Sequence, residues 1–174
     1  MRRPHLVTRI ALFAALVYVL SWGTSYLPNI NFIFFIVFSA GFLWGVVPGA
    51  LVGMIGMALW TAFNPYGPAI APVMLAQIIG AGSGSMVGAV FRKGKWQNWT
   101  RPRLIVSLWG AALMCTVLYY LPVNIVDAWM FGPFYERFVG GMLFSAISLG
   151  ANLIIFPLLF TVTRHLHARE RTRL

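Results

Sequence analysis

Residues 127–137 read DAWMFGPFYER and hold two of the three carboxylates in a 174-residue chain, Asp127 and Glu136, beside Arg137. Two acids in one short stretch are the raw material for acid–base work or for holding a charged ligand. No catalytic set is completed around them. The chain has no H-E-x-x-H, no G-x-S-x-G and no Cys/His metal spacing. Its three histidines, His5, His165 and His167, all lie near the chain ends. The sequence therefore predicts no catalytic residues, no metal and no cofactor, and a binding role in place of an enzymatic one.

Amides and aromatics supply the other candidates. Asn29, Asn31, Asn64, Tyr66, Asn124 and Trp129 lie between apolar runs, Gln77 lies one to two turns inside the fourth run, and Asn152 lies deeper in the last. Each has a structural reading. Asn64 with Pro65 and Pro68 suits a turn, while Trp22, Tyr26, Trp129 and Tyr135 suit an interfacial belt. Glu136 and Arg137 are neighbours that point apart on a helix. Taken together, these residues have the makeup of a small-molecule pocket, mostly apolar with a few placed polar groups. DAWMFGPFYER then reads as a loop hinged at Gly132-Pro133 that closes over such a pocket as a lid.

The elements that must position these groups belong in a bilayer. The chain is 60% hydrophobic and 9% charged, with a mean hydropathy of +0.81, more apolar surface than a water-soluble domain of this size can hide. Each helical crossing needs ~20 apolar residues, so about 120 suffice for six. Hydropathy places the runs near 9–27, 32–45, 47–63, 72–91, 104–121 and 137–163. The expected fold is a single domain over 1–174, an all-α integral membrane protein built as a six-transmembrane-helix bundle.

A net charge of +10 would suit nucleic acid only with readable side chains between the charges on one face. Here the cations form three clusters separated by apolar runs: Arg2, Arg3 and Arg9; Arg92, Lys93, Lys95, Arg101 and Arg103; Arg164, Arg169, Arg171 and Arg173. With six crossings all twelve fall on one side and only Arg137 opposite, so both termini are expected in the cytoplasm. Membrane lipid is the expected surrounding and nucleic acid is not a partner. His165 and His167 are expected in a basic tail facing lipid headgroups. The first run has the charge pattern of a signal peptide, but no A-x-A site follows, so it is expected as an uncleaved span. Cys115 lies within an apolar run and reads as a packed thiol.

Helices in lipid approach most closely at small residues. Three ladders of that kind occur: Ala11 and Ala15; Gly45, Gly49, Gly53 and Gly56; Gly80, Gly84 and Gly88. GAGSGSMVG lacks the G-x-x-x-x-G-K-[ST] order and has no Lys to reach a phosphate, so it is not a nucleotide loop. No run carries a repeating polar stripe for a channel, nor a mid-membrane carboxylate for proton coupling.

The chain resembles the S component, the substrate-binding membrane subunit, of energy-coupling-factor vitamin importers. RIALFAALVYVL is similar to that family's first helix with its A-x-x-x-A motif at Ala11 and Ala15. SAGFLWGVVPGALVGMIGMAL is similar to its second-to-third helix joint, and an aromatic outer loop precedes the last helix. The resemblance implies a multi-pass protein of a prokaryotic plasma membrane that binds a vitamin or related micronutrient near the outer face. It implies docking through Ala11 and Ala15 on a separate transmembrane coupling subunit, which works with two ATPase subunits. The expected substrate-binding residues are Asn29, Asn31, Asn64, Tyr66, Gln77, Asn124, Asp127, Trp129, Glu136, Arg137 and Asn152. Cys115 lies in a span, away from any outer loop, which speaks against a thiol–cobalt contact. The alternative reading is a small structural or assembly subunit of a larger membrane complex, and an intramembrane enzyme comes third.

Overall fold

A computed structural model describes residues 3–94 and 96–171; the calls on Arg2, Lys95 and Arg173 lie outside the described residues. Among them the chain is all-helical. Its helices are α1 (Arg3–Gly23), α2 (Ile33–Trp44), α3 (Val46–Phe63), α4 (Ala71–Lys93), α5 (Arg101–Phe131) and α6 (Phe134–Arg171), with a short 3-10 turn at Trp96–Asn98. All but α2 are long and apolar enough to cross a membrane. With one end of the bundle rich in cations, this is an all-α membrane bundle of six helices.

The short helix is the centre. At about 1.5 Å per residue, the 12 residues of α2 rise only ~18 Å, against ~30 Å of hydrocarbon. Eleven of those residues, Ile33 through Leu43, are buried, and α2 packs against every other helix. A helix apolar on all sides is one that protein encloses. Phe38 and Phe42 are fully buried, and their rings meet Phe91, Phe156 and Phe160 at centroid separations of 5.1–6.4 Å.

Gly45 turns the chain back between α2 and α3, at φ 97°, a region a side chain disfavours. The returning α3 then lies against α2. A Cβ on Gly49 would fall 2.6 Å from the Gly41 amide nitrogen, and one on Gly53 2.7 Å from the Ala81 carbonyl oxygen. On the far side, a Cβ on Gly88 would collide with the Phe38 carbonyl. Glycine is what lets α2, α3 and α4 touch at their backbones. Gly56 receives α1, against Val17 and Ala14.

Two spans are longer than the hydropathy reading. α5 continues ten residues beyond 121, through Pro122, and α6 runs from Phe134 to Arg171 through Pro157. In a bilayer an unsatisfied carbonyl is costly, and neighbouring groups make good the bond a proline removes, so proline does not end the helix. α1 ends earlier than expected, at Gly23 instead of 27. DAWMFGPFYER is accordingly no loop. Asp127 and Trp129 lie on the last turns of α5, Glu136 and Arg137 on the first turn of α6, and Gly132 and Pro133 alone join them.

Successive helices alternate in direction, which gathers the start of α1, the end of α4, the start of α5 and the end of α6 at one end. There Arg9 pairs with Glu170, and Arg92 donates to the Leu43 carbonyl at 3.1 Å, a cation at the end of α2. His167 is not in a headgroup-facing tail. It lies within α6, with its ring 5.2 Å from Phe42 and 6.0 Å from Trp96.

Gly88→Ala is expected to cost about 1–3 kcal/mol or more, because backbone cannot yield to the added methyl. Gly110→Ala, at a position with nothing within 4 Å of the added atom, should leave stability unchanged or slightly raised. Thermal melting of the two variants in detergent checks this, and equal melting temperatures would contradict the packing.

Candidate functional site

Because α2 starts deep, the segment joining it to α1 has to descend into the bundle, and it leaves a cavity at the end opposite the cationic clusters. The cavity has a volume of about 360 Å³. Ser21, Thr24 and Ser25 line it from the end of α1 and the turn beyond, Asn29 and Asn31 from the connector, Trp60 and Tyr66 from α3 and its outgoing loop. Gln77 of α4, Tyr119, Tyr120 and Val123 of α5, Phe144 of α6 and Phe34 of α2 complete it. Among the described residues, no lining side chain is charged.

Aromatic rings form one wall. Phe34 stands edge-on to Tyr119 at 5.3 Å, and Tyr119 edge-on to Tyr120 at 4.9 Å, the offset geometry that ring quadrupoles favour. Trp60 is held at 6.5 Å from Trp22.

The polar wall is held by local hydrogen bonds. Asn29 adopts φ 56° and donates from Nδ2 to the Phe144 carbonyl at 2.8 Å, tying the connector to α6. Asn31 accepts the Ile33 amide at 2.8 Å, so it caps the start of α2. Ser21 and Thr24 donate back to the carbonyls of Val17 and Leu20 at 2.8 and 2.9 Å. Thr61, buried behind the wall, donates to Gln77 Oε1 at 2.7 Å. Asn64 lies just off the cavity. Its Oδ1 accepts the Tyr66 amide at 2.8 Å and its Nδ2 donates to the Gly67 carbonyl at 2.9 Å, an Asx turn that aims Tyr66 across to the Ser25 carbonyl.

Of the residues singled out in sequence, the cavity thus unites Asn29, Asn31, Tyr66 and Gln77, with Asn64 bracing it. The others lie elsewhere. Asn124 donates to Ser145 at 2.9 Å and Asn152 to Thr116 at 3.0 Å, both between α5 and α6. Arg137 grips both oxygens of Asp127, at 2.7 and 3.4 Å, and its guanidinium lies 4.8 Å over the Phe131 ring. Trp129 and Glu136 are exposed on the same helical hairpin. Ala11 and Ala15 are exposed on α1, on the face it turns away from α3, beside Leu12, Leu16 and Val19.

The sequence reading missed Ser21, Thr24, Ser25, Trp60, Tyr119 and Tyr120. Their one signal was the Ser21/Thr24/Ser25 spacing, three and four apart, at the end of an apolar run. A second hollow, about 670 Å³, lies at the cationic end beside Trp96, with Arg164 5.7 Å over that ring. Among the described residues no cluster of three metal-ligating side chains occurs. Comparison with family models, with curated proteins and with solved structures finds no match to this chain.

Asn29 tests the connector. Asn29→Val should cost about 1–3 kcal/mol, because a β-branched residue resists positive φ and the bond to Phe144 is lost. Asn29→Gly keeps the backbone conformation and should lose less. Thermal melting of the two variants separates them, and Gly no better than Val would rule out backbone strain as the reason for Asn there.

Proposed function

We propose that this chain is a substrate-binding membrane subunit of an energy-coupling-factor importer, which captures a vitamin or related micronutrient and hands it to other subunits. The observation that carries this reading is the cavity. A polar, uncharged pocket with aromatic walls, open at one end of a membrane bundle, suits reversible capture of a small molecule. The cationic clusters occupy the far end of the bundle. By the positive-inside rule that end faces the cytoplasm and the cavity faces outward. Binding draws on Asn29, Asn31, Tyr66 and Gln77.

The energy for uptake comes on this reading from other chains, two ATPases working through a transmembrane coupling subunit. Ala11 and Ala15 supply the docking face, where small residues on an uncovered helix permit close approach of a partner helix.

The test begins with mass spectrometry of small molecules released from detergent-purified protein expressed in rich medium. One stoichiometric vitamin-like mass is expected. Recovery of lipid alone, with no saturable ligand, would instead favour a structural or assembly subunit. For docking, Ala15→Trp should abolish uptake in cells that hold the whole complex, while ligand binding to the isolated chain stays intact. Uptake that survives the bulky side chain would remove the α1 face from the proposal.

A further inference from the structure

The hydrogen bonds already made inside the cavity leave a defined set unmade, and that remainder describes the ligand. Ser21 and Thr24 spend their hydroxyl protons on backbone carbonyls, so they offer only lone pairs to the cavity. Asn29 uses one of its two Nδ2 protons on Phe144 and keeps the other, together with its Oδ1 as an acceptor. Asn31 and Gln77 are the reverse. Their carbonyl oxygens accept from Ile33 and Thr61, which leaves both amide NH₂ groups without a protein acceptor among the described residues. The cavity therefore presents the NH₂ groups of Asn31 and Gln77, the second Asn29 N–H and a set of acceptors, with aromatic edges and faces between them.

Charge is the second constraint. None of the lining side chains is ionised. The nearest carboxylate along α5, Asp127, lies one turn beyond Val123 and is occupied by Arg137. Glu170 is paired with Arg9 at the other end of the bundle. The start of α2 points a partial positive charge toward Asn31, but the Asn31 carbonyl already caps it. A ligand with a net charge would shed its water and meet no opposite charge, a cost that polar contacts alone do not offset. A neutral ring with its own donor and acceptor meets both amides and a ring wall.

Resting on the capture reading above, we infer that the ligand is an uncharged, planar nitrogen heterocycle carrying adjacent hydrogen-bond donor and acceptor groups, such as a cyclic amide or a ring carboxamide. It accepts from Asn31 Nδ2 and Gln77 Nε2, donates to Asn29 Oδ1, and lies against Phe34, Tyr119 and Tyr120. A cavity of about 360 Å³ sits near the lower end of the roughly 300–1,000 Å³ of small-molecule sites. That fits a ligand of one or two rings.

The test uses the full chain in detergent and two probe pairs that differ in charge on one ring: nicotinamide against nicotinate, and uracil against orotate. Binding is read by calorimetry, and the small molecule released from freshly purified protein is identified alongside. The inference expects an uncharged heterocycle in the released fraction, or at least about tenfold tighter binding of an uncharged probe than of its carboxylate partner. Gln77→Leu should then weaken that binding about tenfold, the loss of one hydrogen bond. Asn29→Gly, which preserves the backbone, gives a second reading if the first variant fails to fold. A charged molecule bound one-to-one, or carboxylates that bind as tightly as their neutral partners, would overturn the ligand class and leave the capture subunit standing. No saturable small molecule of any kind would overturn both.

Discussion

Three backbones lie in contact where α3, α2 and α4 pass one another. Gly41, Gly49, Gly53 and Gly88 stand at the crossings, with Ser85 and Ala81 opposite. Lipid supplies no hydrophobic drive for helices to associate, so this close approach, with its dense dispersion contacts, has to hold the bundle together. Any side chain at those points would push α2 outward. The phenylalanines at 35, 38 and 42, which fill the space between α2, α4 and α6, would then lose their fit.

The cavity is a by-product of the same crossing. A full-length helix in place of α2 would carry apolar side chains through the volume that Asn29, Asn31 and Gln77 now border. Because α2 has only 12 residues, polar backbone from the connector is brought below the ends of its longer neighbours. Non-helical backbone at such depth is tolerated only where protein or a cavity receives it. Here the Tyr66 hydroxyl donates to the Ser25 carbonyl of the connector, and the Asn29 side chain ties the connector to the Phe144 carbonyl. Site and core therefore share one cause.

Much of this was legible in the sequence, and the boundary follows the range of the forces involved. Apolar run length is local, so the six helices and the small-residue ladders could be read directly. The fifth run was read as ending at 121, one residue before Pro122, whereas α5 continues through that proline to Phe131. That error turned the α5–α6 hairpin into a loop and made a lid of Asp127 and Trp129. The ion pair Asp127–Arg137 was hidden for the same reason, since ten residues apart in sequence become neighbours only when two helices reverse at Gly132. The cavity was half visible. Asn29, Asn31, Tyr66 and Gln77 are conspicuous in any polarity scan, whereas Ser21, Thr24, Tyr119 and Tyr120 disappear into apolar averages. No local pattern tells how deep α2 starts, because the Gly45 turn and the packing of five other helices set that depth.

The enclosure of α2 also shields its own part of the site from bilayer thickness. A membrane that thins or thickens acts on the lipid-facing helices, which answer by tilting or by moving their ends. Eleven of the twelve α2 residues are buried in protein, and Phe34 at its start belongs to the cavity's aromatic wall. Hydrophobic mismatch is thus taken up by the outer helices, while Phe34, the part of the aromatic wall that α2 carries, keeps its place in membranes of different acyl-chain length.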